Sequence, residues 1–499
     1  MVSDKFRRQL YQEAYLWQAE GLINTDLYEQ LSERYQFNAL DTSAHNSFVT
    51  ILMGLGSILI GLGVIIFVSA NWQELPREGK VTLLLSLFMG VNITGFYLGN
   101  RAKGAQQRLG NGLLLLGALI LGANMGLMGQ MFHIRGPLYE LLLAWGVGVL
   151  AMAYSLRLTS LGVLSIILIG LGYWGFWWEF AQQSWLTSSA IEEFSWASLM
   201  GQHMPLLAGL MFVPLAYWCR SGAIFALAAI AVVSSLEANL QPFSFRLFDL
   251  FSFQPTGWVL AIAFALPPAL LWGYDDSLWL DSGLPKIPHQ RHQPALVSLW
   301  RGSFQNIARA LALLYLSVLF YLSSSLWFWK LLSHLPTAEP SVKLNWFPVL
   351  DALILSALAV FEWLRLAWQA RNSRTRQNLN LTTIVVAVFI CIAALVPFWH
   401  ISVAPIPLLA TFIFNVLLFL LAAGLMREGL AQGKRSAFWN GMVLLTLRIL
   451  SWFLLSATGL IFKSLIFILC GVGAIAIGLW FEGHIRTLKT TRRSQSSTP

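Results

Sequence analysis

Charged residues in this chain are confined almost entirely to the gaps between long apolar runs. About fourteen such runs are present, each of roughly 16 to 24 residues. At 1.5 Å per residue, a helix of that length crosses a hydrocarbon core about 30 Å thick. Only 11% of the residues are charged, against about a quarter in soluble domains. The sequence therefore predicts an all-α, polytopic integral membrane bundle of about fourteen transmembrane helices, with a short soluble N-terminal helical hairpin.

The predicted spans follow one another closely. They are 48–70, 81–99, 109–132, 138–156, 158–178, 204–219, 222–238, 257–273, 305–328, 347–368, 380–399, 404–426, 438–457 and 462–481. Spans 204–219 and 257–273 are short for a full crossing, and Pro267 and Pro268 interrupt the second of them. Whether these two spans cross completely is left open by the sequence.

The basic residues predict the orientation. With the N-terminus in the cytoplasm, 24 of the 32 Lys and Arg residues lie on the cytoplasmic side, seven lie outside, and one, Arg448, lies within a span. Such an excess on the cytoplasmic side is the usual topology signal of membrane proteins. An even number of spans returns the C-terminus to the same side. We expect a multi-pass protein of the bacterial inner membrane with both termini cytoplasmic, and no nucleic-acid partner for its net charge of +9, because the basic loops lie beside anionic lipid headgroups.

Loop lengths predict six regions along the chain. They are a cytoplasmic helical hairpin at 1–45, a glycine-rich five-helix membrane bundle at 46–180, a three-helix segment with interfacial loops at 181–275, a cytoplasmic loop at 276–303, a six-helix membrane bundle at 304–483, and a basic, disordered cytoplasmic tail at 484–499. Glycine in the first bundle favours close approach of helix backbones, since lipid supplies no hydrophobic drive for helices to associate.

The N-terminal hairpin is predicted from local signals. Gly21 is a helix stop of the left-handed type, and Asn24 and Thr25 are residues that favour a helix start. Such a hairpin is either a docking site for a cytoplasmic protein or a handle at the membrane surface with no partner.

Several motifs in the first third of the chain resemble a known family. Trp17 and the run Glu20-Gly21-Leu22-Ile23 precede a glycine-rich span that ends in Ala70-Asn71-Trp72, and Gly129-Gln130-Met131-Phe132-His133 and Trp145 follow. In this order they resemble the bacterial membrane proteins of the family named domain of unknown function 2157, over about residues 10–150. The resemblance implies a membrane architecture and no established activity.

Polar residues at the outer ends of the first, third and fourth spans form a first candidate site. They are Asn71, Trp72, Gln130, His133 and Glu140. We expect either an outward-facing pocket that binds a polar ligand or relays a proton, or separate interfacial side chains that cap helix ends, with Trp72 as an aromatic anchor.

Arg448 is the second candidate, an intramembrane charge near the centre of its span. A cation there costs about 2.5–3.5 kcal/mol on insertion scales, so it needs a partner or a water-filled cavity. The partners that the sequence offers are Asp351, Glu237 and Asn415. A solute pathway, a buried structural pair and a misplaced span boundary all remain open. Glu362 and Arg365, at i and i+3, are predicted to form a local ion pair.

Signals for catalysis or cofactor binding are weak. His289 and His292 lie near three aspartates, but the prolines around them disfavour the regular helix that would align two imidazoles on one metal. No nucleophile–base pair, metal motif or phosphate-binding loop emerges, so we predict no catalytic residue, no metal and no cofactor, and an enzyme is the least favoured class.

Two functions remain. The leading hypothesis is binding or translocation of a small or lipid-like solute, because proline-interrupted segments and an intramembrane arginine are features of transporters. The alternative is a structural or regulatory scaffold in the lipid bilayer that recruits a cytoplasmic protein through the N-terminal hairpin.

Overall fold

The computed structural model describes most of the chain between residues 10 and 455. The described residues are 10–35 apart from Gln12, Tyr15 and Ala19, then 76–101, 104–133, 136–183, 196–240, 257–276, 303–333, 346–372, 381–432 and 435–455, and the single positions Ser464, Ile468, Gly471 and Val472. Throughout these residues the regular secondary structure is helical, as predicted. Predicted span 48–70, almost all of span 462–481, and the tail 484–499 lie outside them.

The helices are numbered in chain order. They are α1 (Thr25–Tyr35), α2 (Arg77–Arg101), α3 (Ala105–Met131), α4 (Leu138–Leu156), α5 (Thr159–Gln183), α6 (Trp196–Gln202), α7 (Met204–Cys219), α8 (Gly222–Leu240), α9 (Gly257–Gly273), α10 (Ser303–Ser323), α11 (Leu326–Ser333), α12 (Trp346–Asn372), α13 (Leu381–Ser402), α14 (Pro407–Gln432) and α15 (Arg435–Leu455). Further helical residues lie between 10 and 18. The long helices match the predicted spans, and α4, α7 and α9 match them to the residue.

The chain divides into two structural units, Met1–Arg135 and Gly136–Pro499. In the first unit, α2 packs against α3. Gly110 makes this contact possible, because a methyl group added there would collide with the backbone of Leu98 and Gly99. At Gly110, therefore, the absence of a side chain lets two helix backbones approach closely.

The start of the first unit shows the two local features expected of a helical hairpin. Gly21 has φ +73°, the left-handed conformation typical of a residue that ends a helix. Asn24 Oδ1 accepts a hydrogen bond of 3.1 Å from the backbone N–H of Leu27, which caps α1. Ala14 is buried against Trp17, Tyr28 and other apolar residues. The cytoplasmic hairpin as a domain stays a prediction.

The second unit contains α4 to α15. Helices α4 and α5, α7 and α8, α9 and α13, and α14 and α15 form its most extensive pairs. One apolar core joins α9, α10, α13 and α14, with Phe264, Phe320 and Phe414 fully or almost fully buried at its centre. A second core joins α8, α9 and α12.

Eight of the described helices are long and apolar enough to cross a membrane: those that begin at Arg77, Gln106, Leu138, Thr159, Gly222, Phe304, Thr382 and Pro407. The pair α6 and α7 adds a ninth if it forms one broken span, since the two helices meet at an angle of 82°. Helix α9 is apolar but shorter. The structure thus supports a polytopic helical membrane protein, and the count of fourteen spans stays a prediction.

One span differs from its prediction. The run 305–328 is broken at Ser324 and Ser325, where α10 ends and α11 begins. The hydroxyl groups of both serines donate to carbonyl oxygens three residues earlier, over 2.6 and 2.8 Å. Such local bonds compete with the helix ladder. The carbonyls freed at the break need other donors, since apolar surroundings supply none, and these donors come from three other side chains.

Candidate functional site

The helix break is stabilised by donors that converge on two carbonyl groups. The indole N–H of Trp329, from α11, donates to the carbonyl oxygen of Ser323 over 2.6 Å. Asn415 Nδ2, from α14, and Arg448 Nη2, from α15, both donate to the carbonyl oxygen of Ser324, over 2.9 and 2.7 Å. Each of these bonds satisfies an acceptor that a helix end leaves unpaired.

Arg448 finds one of the three partners that the sequence offered. Its Nε donates to Asn415 Oδ1 over 2.8 Å. Asp351 instead is hydrogen-bonded to His203 Nδ1 over 2.8 Å, and Glu237 Oε1 lies 2.6 Å from the Tyr315 hydroxyl oxygen. Among the described residues, Arg448 therefore hydrogen-bonds to an amide oxygen and a carbonyl oxygen, and not to a carboxylate.

The ion pair expected between Glu362 and Arg365 is not formed. Arg365 Nε lies 4.0 Å from Asp275 Oδ2, while the Glu362 side chain packs beside Gly273 and its Oε2 has no hydrogen-bond partner in the described structure. The prediction was wrong because spacing along a helix places two residues on neighbouring faces and does not say what else reaches them. Helix α9 ends beside α12 and supplies Asp275.

The predicted outer pocket stays a prediction. Asn71 and Trp72 lie outside the described residues. Gln130 and His133 are exposed at the end of α3, and His133 has φ +54°. Glu140 is half-buried at the start of α4 and belongs to the other structural unit.

The loop that carried the weak metal signal is described only at its start. His289 and His292 lie outside the described residues, whereas Asp275 and Asp276 follow α9. Across the described part of the chain, no group of three or more His, Cys, Asp or Glu side chains is placed to hold a metal ion.

Asp276 belongs to a buried chain of hydroxyl groups instead. Tyr217 donates to Asp276 Oδ1 over 2.6 Å, and the hydroxyl oxygens of Tyr217 and Tyr274 lie 2.6 Å apart. Because a hydroxyl group carries one hydrogen, Tyr274 donates to Tyr217. Burial raises the pKa of the Asp276 carboxyl, although the bond from Tyr217 opposes this shift. Burial also raises the pKa of Tyr274.

A cavity of about 970 Å³ lies among α9, α10, α13, α14 and α15 in the second unit. Its length is set by α10, on which the lining residues run from Asn306 to Tyr321, a rise of about 22 Å. The matching stretch of α15 runs from Ser436 to Leu447. The cavity thus extends over much of the thickness of a hydrocarbon core.

The polarity of the lining changes from one end of this cavity to the other. The end at which α10, α13 and α15 begin is lined by polar side chains: Asn306, Arg309, Thr382, Thr383, Glu428, Ser436 and Asn440. The remainder is mostly apolar, with Leu313, Leu314, Val318, Val443, Leu444 and Leu447. A site of this size with a few polar groups grouped at one end is typical of ligand pockets.

Two buried N–H donors belong to side chains that line the polar end. Arg309 Nε and Trp272 Nε1 are shut off from solvent and have no hydrogen-bond partner in the described structure. The Arg309 guanidinium lies over the Trp272 ring, with 5.5 Å between its central carbon and the ring centroid. The Arg309 side chain as a whole is half-buried and lines the cavity.

Sequence reasoning missed Arg309. It identified Arg448 as the one basic residue within a span, but Arg309 lies six residues inside α10. The signal was present, because predicted span 305–328 contains this arginine. The sequence does not show that Arg309 lies over the ring of Trp272, because the two residues are distant in sequence.

A family model described as predicted membrane protein (DUF2157) matches residues 15–162. The match supports the resemblance found in the first third of the chain and a membrane protein with several apolar helices. Comparisons with curated proteins and with solved structures found no match. The cavity lies outside the matched residues, so its role is argued from its own chemistry.

Proposed function

We propose that the second unit binds a lipid-like solute, an amphiphile with an anionic head group, in the cavity between α10 and α15. The supporting observation is an arginine at the polar end of a largely apolar cavity: Arg309 lines this end and lies over the Trp272 ring. Arginine suits this task because its planar fork of N–H groups matches carboxylate and phosphate oxygens.

The lining favours an amphiphile over a small polar solute. Leu314, Val318 and Val443 are 51–58% exposed and apolar, so an alkyl chain would contact them along α10 and α15, whereas a polar solute would find no hydrogen-bond partner there. Burial of each methylene contributes about 0.8 kcal/mol. In the orientation predicted from the basic residues, the head group binds near the cytoplasmic surface and the chain extends toward the membrane centre.

Binding of three amphiphiles with the same chain tests this proposal. The full-length protein in phosphatidylcholine nanodiscs is titrated with dodecyl phosphate, dodecylphosphocholine and dodecyltrimethylammonium. We expect dodecyl phosphate to bind most tightly. Arg309→Gln weakens its binding by about 10- to 100-fold, because a hydrogen bond to a charged group is worth about 1.5–3 kcal/mol.

Matched variants separate the site from general effects of charge and bulk. Arg427→Gln removes an exposed arginine from α14 and is expected to leave the affinity unchanged. Val318→Trp fills the apolar part of the cavity and prevents binding, while Leu364→Trp, at a position 57% exposed on α12, does not. Equal affinity for the three head groups, or equal effects of the two arginine variants, would contradict the proposal.

The scaffold alternative is supported by apolar side chains near the N-terminus. Leu16, Leu22 and Leu27 are 51%, 69% and 44% exposed, and such residues suit a protein interface. If the segment recruits a cytoplasmic protein, Leu22→Ser reduces co-purification of that protein, and the control Glu13→Ser does not. Dodecyl phosphate binding is expected to be unaffected by either change.

A further inference from the structure

The carboxyl group of Glu237, three residues before the end of α8, makes one polar contact in the described structure. Its Oε1 is 2.6 Å from the hydroxyl oxygen of Tyr315. Its Oε2 is shut off from solvent and has no hydrogen-bond partner in the described structure. An ionised carboxylate in such a place would be very costly, and no cation in the described chain touches it.

The Tyr315 hydroxyl lies between two acceptors. Besides Glu237, it lies 2.9 Å from the carbonyl oxygen of Ala263 on α9. A hydroxyl group has one hydrogen, so Tyr315 donates to one of these oxygens at a time. If it donates to Ala263, the short contact with Glu237 requires a hydrogen on the carboxyl group.

The carbonyl of Ala263 needs this donor. In a helix, the backbone N–H of residue i+4 would supply it, but that residue is Pro267, which has no N–H. One arrangement pairs Glu237 Oε1, the Tyr315 hydroxyl and the Ala263 carbonyl: the protonated Glu237 donates to Tyr315, and Tyr315 donates to Ala263. With an ionised Glu237, Tyr315 turns to the carboxylate and the Ala263 carbonyl is left without a donor.

We infer that Glu237 is a reversible proton-binding site inside the membrane bundle, and that Tyr315 reports its protonation state to the proline-interrupted helix α9. On deprotonation the O–H bond of the carboxyl group breaks, the proton passes to water, and the Tyr315 hydroxyl rotates from Ala263 to Glu237. Loss of the bond to Ala263 removes a side-chain constraint on α9 beside Pro267 and Pro268, where the helix already lacks backbone bonds.

Other titratable groups near α8 are engaged elsewhere or touch different parts of the bundle. On the helices packed against α8, the described ones are Tyr173, Glu179, Tyr217, Cys219, Arg309, Tyr321, Asp351, Glu362 and Arg365, besides Tyr315. Tyr173 bonds to Asn239 and to the carbonyl of Ser235. Among these described groups, Tyr315 is the one that hydrogen-bonds to Glu237.

Tyr315 also links this site to the cavity, a step that rests on the proposed function. It lies on α10 between Leu314 and Ser317, which line the cavity. A rotation or shift of α10 that follows the Tyr315 hydroxyl changes the cavity wall. Proton binding at Glu237 is therefore expected to alter the affinity for dodecyl phosphate.

Infrared spectroscopy of the full-length protein in nanodiscs tests the proton site without any ligand. We expect the wild type to show a protonated-carboxyl band at neutral pH that Glu237→Gln loses and that the control Glu179→Gln retains. The band disappears reversibly as pH rises. In Tyr315→Phe the band shifts in frequency, because the protonated Glu237 carboxyl has lost the hydroxyl oxygen to which it donates. Glutamine is a conservative replacement, since its amide N–H takes the place of the acid O–H.

Three results would overturn the inference: the same band in wild type and Glu237→Gln, a band that persists throughout the alkaline range, or a band unmoved in Tyr315→Phe. The coupling has a separate test. Dodecyl phosphate affinity that varies with pH in wild type and not in Glu237→Gln supports it, and pH-dependence unchanged by that substitution contradicts it. If dodecyl phosphate fails to bind at any pH, the proposed function fails while the infrared result still decides the proton site.

Discussion

Arg448 Nε on α15 and Asn415 Oδ1 on α14 form a hydrogen bond of 2.8 Å. The same guanidinium also donates to the carbonyl oxygen of Ser324, where α10 gives way to α11. The charge of Arg448, within α15, thus joins three helices at a break in the backbone. The guanidinium donates to two neutral oxygens, the amide oxygen of Asn415 and the carbonyl oxygen of Ser324.

A double-mutant cycle on this pair has an asymmetric expected outcome. Asn415→Leu removes the acceptor of Arg448 Nε and leaves that part of a half-buried guanidinium without a partner, so we expect it to lower the free energy of unfolding by about 1.5–3 kcal/mol. Adding Arg448→Met to Asn415→Leu restores part of the loss, because no charge then remains to be satisfied. Unfolding in mixed micelles measures each value. Additive losses would contradict the coupling, and Arg427→Met at an exposed position is the control.

The contact of α2 with α3 predicts a difference between two glycines on one helix. Gly110→Ala places a methyl group against the backbone of Gly99, so it is expected to destabilise the first unit by about 1–3 kcal/mol. Gly112→Ala meets nothing within 4 Å and is expected to stabilise α3 slightly, by up to about 1 kcal/mol. Thermal unfolding of the two variants distinguishes them, and equal changes would show that the helices are not in close contact at Gly110.

Asp276 predicts a pH-dependence of stability. Burial raises the pKa of its carboxyl in the folded protein, so over the affected range the folded state binds more protons than the unfolded state. Stability is therefore expected to fall as pH rises from about 3.9, the ordinary pKa of aspartate, through the raised value. In Asp276→Asn this part of the fall is absent. Glu179→Gln is the control, and an unfolding profile identical in wild type and Asp276→Asn would contradict the prediction.

Most of the helix boundaries were predictable, because an apolar run between charged gaps has one stable conformation in lipid. Residues 204–219 and 257–273 illustrate this, as both coincide with helices despite their short length. The break at Ser324 was not predicted. Hydropathy is continuous across it, and the donors that make it possible come from Asn415, Arg448 and Trp329, the first two of them distant in sequence.

The candidate sites were predictable to a smaller extent. Asn415 was among the partners proposed for Arg448, because a polar side chain inside a span needs a partner and few are available. The site beside Arg309 depends on Trp272, and the site at Glu237 depends on Tyr315. In each pair the two residues lie on different helices, and no periodic pattern in the sequence predicts that these helices are neighbours. The spacing of four residues predicts that Pro267 leaves the Ala263 carbonyl without a backbone donor. The sequence does not predict that Tyr315 supplies that donor.

Photo-crosslinking with a diazirine-bearing dodecyl phosphate tests the central claim most directly, because it maps where the chain of a bound amphiphile lies. The account predicts labelled peptides from the cavity walls, at Leu314 and Val318 of α10 and Val443 and Leu447 of α15, with labelling reduced at least tenfold in Arg309→Gln. Labelling spread evenly over exposed apolar positions such as Leu353 of α12, and unchanged in Arg309→Gln, would contradict it.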